Sequence, residues 1–250
     1  MELYLKGKTA VVSGASQGLG RAITKELAME GVTVLATARN EALLHALRDE
    51  IIAAGGTAPV LLVQDFVAPE APQRIAAAAL TNLGHVDILI NNAGRSRPLD
   101  VVAPEDEWAA SMTLDFDRHR QLTQELLPHM IERRQGSILN ITSTYELRSI
   151  NASAVAKASV VVWAKQLAGQ LGKYGITVNS LQPGLIDTAN IRRFFNAAER
   201  RQFASQEIAL GDFGDPQDVA NMATFLVSPR AKYITGTVAV VDGGMRQYPF

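Results

Sequence analysis

Short apolar runs rich in β-branched residues recur along the chain. Each is followed by a longer stretch with helical spacing, and that alternation predicts the fold before any motif is considered. Thr9 to Val12 reads as a strand buried on both faces, and Arg21 to Glu30 as the helix after it. Thr33 to Ala38 gives a second strand, Glu41 to Ala54 a helix stopped by Gly55-Gly56, and Ala58 to Gln64 a third strand. Ala71 to Leu83 is the next helix and Val86 to Ile90 a fourth, buried strand. Glu105 to Arg134 is a long helical stretch with a break expected near Pro128, where the ring removes a backbone donor. Gly136 to Ile141 is the fifth strand. Asn151 to Lys173 is helical, with an apolar face of Val160, Val161, Ala164, Leu167, Ala168 and Leu171. Thr177 to Leu181 is a sixth strand, Asp215 to Leu226 a helix with Pro216 near its start, and Val238 to Val241 a last strand. Repeated strand–turn–helix units predict one α/β domain over residues 1–250, a doubly wound parallel sheet flanked by helices, with ligands outside the strands' carboxyl ends. Between 189 and 213 the composition turns mixed, with Phe194 and Phe195 among four arginines, and predicts a helical flap over a substrate site.

The first strand-to-helix junction carries the first chemistry. Gly14, Gly18 and Gly20 remove side chains where the chain must turn sharply, and the following helix presents unpaired N–H groups and the positive end of its dipole. A pyrophosphate is the natural guest of such a turn, with Ser16, Gln17 and Leu19 completing the loop. The spacing is G-x-x-x-G-x-G and not G-x-G-x-x-G, so a plain tight turn is the competing reading of this segment alone. At the end of the second strand Ala38-Arg39 occupies the place where an acidic residue would accept from a ribose 2′-hydroxyl. A guanidinium there pairs with a 2′-phosphate, which favours NADP(H) and leaves NAD(H) as the weaker alternative.

Composition narrows the class. Hydrophobic residues make up 47% of the 250, charged residues 20%, and the formal net charge is -1, which suggests neither disorder nor a nucleic-acid footprint. The absence of cysteine excludes disulfides, thiolate catalysis and cysteine metal sites. His45, His85, His119 and His129 show no metal-ligand spacing and read as ordinary surface or interface residues, so no metal is expected. Without a long apolar run or a leader pattern, the expectation is a cytoplasmic enzyme with a small-molecule substrate and no membrane or nucleic-acid partner.

Taken in order, these segments resemble the short-chain dehydrogenase/reductase family over nearly the whole chain. Ser13 to Gly20 is similar to its T-G-x-x-x-G-x-G turn, with Ser for the first Thr, and Asn91-Asn92-Ala93-Gly94 to its N-N-A-G strand end. Val178 to Gly184 resembles its V-N-x-x-x-P-G segment, and Ile234 to Gly244 its C-terminal strand. The resemblance implies a Rossmann-type sheet and an oxidoreductase moving a hydride between NADP(H) and a carbonyl or secondary alcohol. Asp65 and Phe66 would lie near adenine, Asn91, Ala93 and Gly94 near the adenosine side, and Pro183, Gly184, Ile186 and Thr188 near the nicotinamide. It further implies a homo-oligomer, a tetramer or dimer, built on the helices that flank the active site and on the last strand. Of the family's catalytic groups, Ser143 would polarise the substrate carbonyl and Lys157 would bind the nicotinamide ribose and lower a neighbouring pKa.

The chain departs from the pattern at the other two positions. Ser153 stands where the family has Tyr, Asp115 where it has Asn, and the loop from Ser143 to Ser153 is a few residues short. A phenol of pKa about 10 can be brought toward neutrality by an adjacent ammonium, whereas an aliphatic hydroxyl near about 15.7 lies roughly 8 kcal/mol further away. Ser153 is therefore a relay and not a proton source. Tyr145, two residues beyond Ser143, is the candidate substitute acid, with a pocket-wall tyrosine as its alternative reading. Loss of hydride transfer, leaving a cofactor-binding sensor or oligomer partner, is the second functional reading.

Overall fold

All five residues of β1, Thr9–Ser13, are buried, because the strand has a helical layer on each side. Ala10 and Val12 face Ile23 and Leu27 of α1 (Gly18–Met29) and Val219, Ala220 and Ala223 of α9 (Pro216–Leu226). Val11 faces the other way, into a core with Ile75 of α3 (Ala71–Leu83), Leu122 and Leu126 of α5 (Arg118–Arg133) and Ala164 of α6 (Ala152–Leu171). The period-2 alternation of a strand thus divides one apolar run between two cores, which is why the strands read as continuous hydrophobic segments.

The computed structural model describes residues 1–96, 98–144 and 149–246. In it β1 joins β2 (Thr33–Ala38), β3 (Val60–Val63), β4 (Ile88–Asn91), β5 (Gly136–Ile141), β6 (Ile176–Pro183) and β7 (Val238–Val241) in one parallel sheet ordered β3-β2-β1-β4-β5-β6-β7. The strand order reverses direction between β1 and β4, and the crevice above that switch point is where an open α/β sheet takes its ligand. The remaining helices are α2 (Glu41–Ala53), α4 (Glu105–Met112), α7 (Ile191–Phe194) and α8 (Ala197–Glu207). The single doubly wound sheet expected from the sequence is the sheet observed. Among the described residues no helix is long and apolar enough to cross a membrane.

Three local expectations are corrected. The long helix does not break at Pro128, which is exposed within α5, where water can satisfy the carbonyl its ring leaves free. The irregularity lies earlier, in a π-helical turn at Thr113–Asp117 between α4 and α5 that turns Asp115 inward. His119 is not a surface residue but is buried against the ring of Phe66, 5.0 Å away between centroids. The mixed segment 189–213 is helical as expected. Its α7 and α8 are tied together by edge-to-face contacts among Phe195, Phe203 and Phe213, and α8 starts on a capping box of Asn196 and Glu199.

Candidate active site

The glycine turn has the shape its sequence requires. Gly14 has φ 68° and Gly18 φ 55°, values that disfavour a side chain, while a Cβ on Gly20 would fall 2.3 Å from the Gly14 carbonyl oxygen and 2.4 Å from Asn92 Nδ2. Helix α1 therefore starts pressed against the ends of β1 and β4. Ser13 fastens this junction: its Oγ accepts from the backbone N–H groups of Asn92 (2.9 Å) and Ala93 (3.0 Å). Asn92 Nδ2 returns a bond to the Ser13 carbonyl at 2.9 Å. No side chain caps α1, in contrast to α2 and α6, which Asn40 and Asn151 cap, and the first turn of α1 holds no acidic residue. These open N–H groups and the cradle that only glycines leave free fit a pyrophosphate. Ser16 is buried and Gln17 exposed at the turn, with Leu19 half-buried behind it. Thr188, after β6, faces Gly18 across the cleft.

Arg39 is exposed at the end of β2, and its side chain has no ion pair or hydrogen bond among the described residues. Asp65 is exposed after β3 and accepts from the Val67 N–H at 3.1 Å. These positions leave both groups accessible at the cofactor edge. Two other expected cofactor contacts turn inward: the Phe66 ring packs on His119, and Asn91 is buried, its Nδ2 donating to Thr123 Oγ1 (3.0 Å) and Asn140 Oδ1 (2.9 Å). Beyond β6, the Gly184 N–H donates to the Val241 carbonyl, Ile186 is buried, and Asp187 holds Arg192 of α7 and Arg200 of α8. The Arg192 bond, ahead of any other influence, keeps the Asp187 carboxyl below its usual range.

The positions expected to be catalytic converge at the N-N-A-G segment beside this turn. Asn151 caps α6 by accepting from the Ala154 N–H at 3.2 Å, and its Nδ2 donates to Ser96 Oγ at 2.8 Å. The cap fixes where α6 begins, and Ser153 and Lys157, one turn apart, then lie on the same face. Lys157 Nζ reaches the Thr142 carbonyl at 3.5 Å, and a Cβ placed on Gly94 would stand 3.2 Å from that ammonium and 2.6 Å from Asp115 Oδ1. Asp115, Lys157 and Gly94 thus wall one corner. Ser143 is half-buried at the end of β5, and its hydroxyl makes no hydrogen bond among the described residues. Tyr145 lies outside the described residues.

Burial dominates the electrostatics here. It pushes the Asp115 carboxyl above its ordinary range, against the opposing pull of Lys157, of the nearby Ser153 hydroxyl and of Arg95, whose N–H donates to Oδ1 at 3.4 Å. Asp115 Oδ2 and Ser153 Oγ are both buried, and neither completes a hydrogen bond of ordinary geometry. One turn on, His119 is held neutral down to about pH 3, first by burial, although its bond to a carbonyl favours the charged form. Nε2–H donates to the Ala93 carbonyl at 2.7 Å, so Nδ1 carries the lone pair, and it has no partner. The sequence reading missed His119, although its spacing of four from Asp115 places it on the same helical face. It also passed over Asn92, whose side chain ties the N-N-A-G segment to the glycine turn.

Comparison with known proteins agrees with this geometry. A family model described as enoyl-(acyl carrier protein) reductase matches residues 14–246. A 3-oxoacyl-acyl-carrier-protein reductase of Vibrio cholerae is 36% identical, with 97% of this chain and 99% of the relative covered. The 3beta-hydroxysteroid dehydrogenase 1 of Eggerthella lenta is 34% identical over 98% of this chain and 96% of its own. Among solved structures, L-sorbose reductase from Gluconobacter frateurii complexed with NADPH and L-sorbose superposes with a TM-score of 0.93 at 28% identity. That match covers 99% of this chain and 100% of the other. A 7 alpha-hydroxysteroid dehydrogenase complexed with NADH and 7-oxo glycochenodeoxycholic acid gives 0.93 at 32% identity, covering 99% and 97%. With the strand order, the glycine turn and the α6 lysine in place, the chain belongs to the short-chain dehydrogenase/reductase family.

Proposed function

We propose that the protein is an NADP(H)-dependent oxidoreductase that interconverts a carbonyl and the corresponding secondary alcohol through a catalytic group set altered at Asp115 and Ser153. The observation that carries this reading is the corner at Gly94, where Asp115 and Lys157 meet within reach of the glycine turn. The relatives support it, since they include a 3-oxoacyl-acyl-carrier-protein reductase, steroid dehydrogenases and a sorbose reductase, the last solved with NADPH and one steroid dehydrogenase with NADH. They favour an oxidoreductase over a binding protein that has lost its chemistry.

A bound nicotinamide would supply or accept the hydride. The chain's own part is to hold and orient. Open N–H groups of α1 take the pyrophosphate, Arg39 pairs with the 2′-phosphate, and Lys157 binds the nicotinamide ribose and lends its charge to the proton path. Ser143 donates a hydrogen bond to the substrate oxygen as negative charge develops there. The flap from 189 to 213 sets which carbonyl enters, in a cytoplasmic protein that assembles as a dimer or tetramer. Exposed Val155 and Val162 on α6, together with the edge strand β7, support assembly through those elements.

Lys157→Met tests the reading with two readouts. Turnover of NADPH with a carbonyl panel falls at least a hundredfold and NADPH binding weakens, on the scale expected for a group serving both cofactor and proton transfer. Unchanged turnover refutes the assignment. Light scattering checks the assembly, which a monomer at micromolar concentration contradicts.

A further inference from the structure

The family's proton donor is a phenol, and the chain has put a hydroxyl in its place that cannot act as a source. A donor must be a group that holds a proton near neutral pH, releases it readily, and stands against the same lysine. Three features of the π turn meet that description. Its widened geometry carries Asp115 into the buried corner, where the carboxylate oxygen Oδ1 and Lys157 Nζ both crowd the point at which a Gly94 Cβ would stand. Among the described residues the second oxygen, Oδ2, completes no hydrogen bond of ordinary geometry, and neither does the buried Ser153 hydroxyl, which still pulls on the carboxyl against its burial. Two unpaired polar atoms buried together are costly, unless a proton or a substrate atom completes the pair during the reaction.

We infer that Asp115, as the neutral acid, is the proton source of the reduction, with the Ser153 hydroxyl as the relay to the substrate oxygen. The inference deepens the oxidoreductase reading and rests on it. As the carbonyl carbon gains a hydride, the carbon–oxygen π pair moves onto oxygen and takes the Ser153 proton. Ser153 Oγ takes the Asp115 proton in the same event, and an aspartate remains opposite the Lys157 ammonium. Solvent restores the proton after product leaves. In alcohol oxidation every transfer reverses, and Asp115 starts as the carboxylate. Among the described residues the groups acting on Asp115 are Lys157 and Ser153 from α6 and Arg95 from the segment after β4, and of the two positive charges that of the half-buried Lys157 weighs more. Burial outweighs that charge, which keeps the carboxyl protonated further up the pH scale than an ordinary aspartate. The two departures from the family pattern thereby compensate each other: the proton leaves the tyrosine position and reappears at the asparagine position.

The test combines pH profiles with a spectroscopic titration. In the wild type, kcat/KM for carbonyl reduction falls as pH rises through the Asp115 pKa, and kcat/KM for alcohol oxidation rises through the same value. Asp115→Asn, which keeps the volume and restores the family's residue, flattens that limb in both directions and lowers reduction at least a hundredfold, with NADPH affinity held within threefold. Ser153→Ala lowers turnover in both directions, but leaves Asp115 titrating where it did. Infrared difference spectra of cofactor-free wild type against Asp115→Asn show the protonated-carboxyl band persisting above pH 3.8, the ordinary aspartate value. An Asp115→Asn variant that keeps the pH limb, with the loss falling instead in Tyr145→Phe, overturns the assignment. So does an Asp115 whose protonated-carboxyl band is gone at and above pH 3.8, with or without turnover. A wild-type protein that reduces no carbonyl refutes the underlying reading, and a protonated Asp115 in such a protein is then a structural group only.

Discussion

Replacing His119 with glutamine should flatten the acid side of the stability curve. The imidazole is buried and stays neutral down to about pH 3, whereas in the unfolded chain it takes a proton near 6.5. A depressed folded pKa means that the native state binds fewer protons than the unfolded one between those two values. The stability this group permits is thus fully present above pH 6.5 and is lost as pH falls through the interval. Each pH unit is worth about 1.4 kcal/mol, or roughly 5 kcal/mol over the whole interval, which is comparable to the total stability of many domains. Glutamine keeps an N–H donor for the Ala93 carbonyl and cannot titrate. Its weaker contact with Phe66 adds an offset that does not vary with pH. Urea unfolding from about pH 8 to about pH 4 provides the assay, with the carboxylates common to both proteins cancelling in the difference. The wild type should lose stability relative to His119→Gln by about 1.4 kcal/mol per pH unit below about pH 6.5, and not above it. Parallel curves for the two proteins would show that the ring takes up its proton without cost, and would refute its burial as a neutral group.

Arg39→Ala should weaken NADPH binding by about 1.5–3 kcal/mol, the usual worth of a hydrogen bond to a charged group, and leave NADH binding nearly unchanged; calorimetric titration of both nucleotides checks it. Gly20→Ala places a methyl 2.3 Å from the Gly14 carbonyl. It should cost about 1–3 kcal/mol in denaturant unfolding and abolish NADPH binding, because the backbone cannot yield without opening the turn. Asp187→Asn removes the partner of both Arg192 and Arg200. The pairs are partly exposed, so global stability should change by less than about 1 kcal/mol, while limited proteolysis within 189–213 accelerates.

The sheet was legible because the central strands are buried on both faces and each junction carries a turn signal. Nothing local competes with those patterns. Boundaries moved where hydrogen bonding, not hydrophobicity, decides them: β3 begins at Val60 and not at Ala58, and β6 runs on through Pro183 because β7 pairs with it there. The π turn was not legible, since a helix that gains one residue per turn keeps its apolar periodicity on either side, and Pro128 offered a louder but incorrect signal. In the site, the glycines and Arg39 could be named from the strand-to-helix pattern, and Lys157 from the family resemblance. The upward shift of the Asp115 carboxyl and the downward shift of the His119 imidazole could not, because both follow from burial that only the packing of α5 and α6 against the sheet creates.

The central claim is hydride transfer, and isotope transfer reads it directly. Protein supplied with NADPH deuterated at the reactive carbon of the nicotinamide, and with a panel of acyl, steroid and sugar carbonyls, should place one deuterium on the carbinol carbon of a product alcohol, as seen by mass spectrometry. NADPH that binds tightly while its label never leaves it, across the whole panel, would contradict the account.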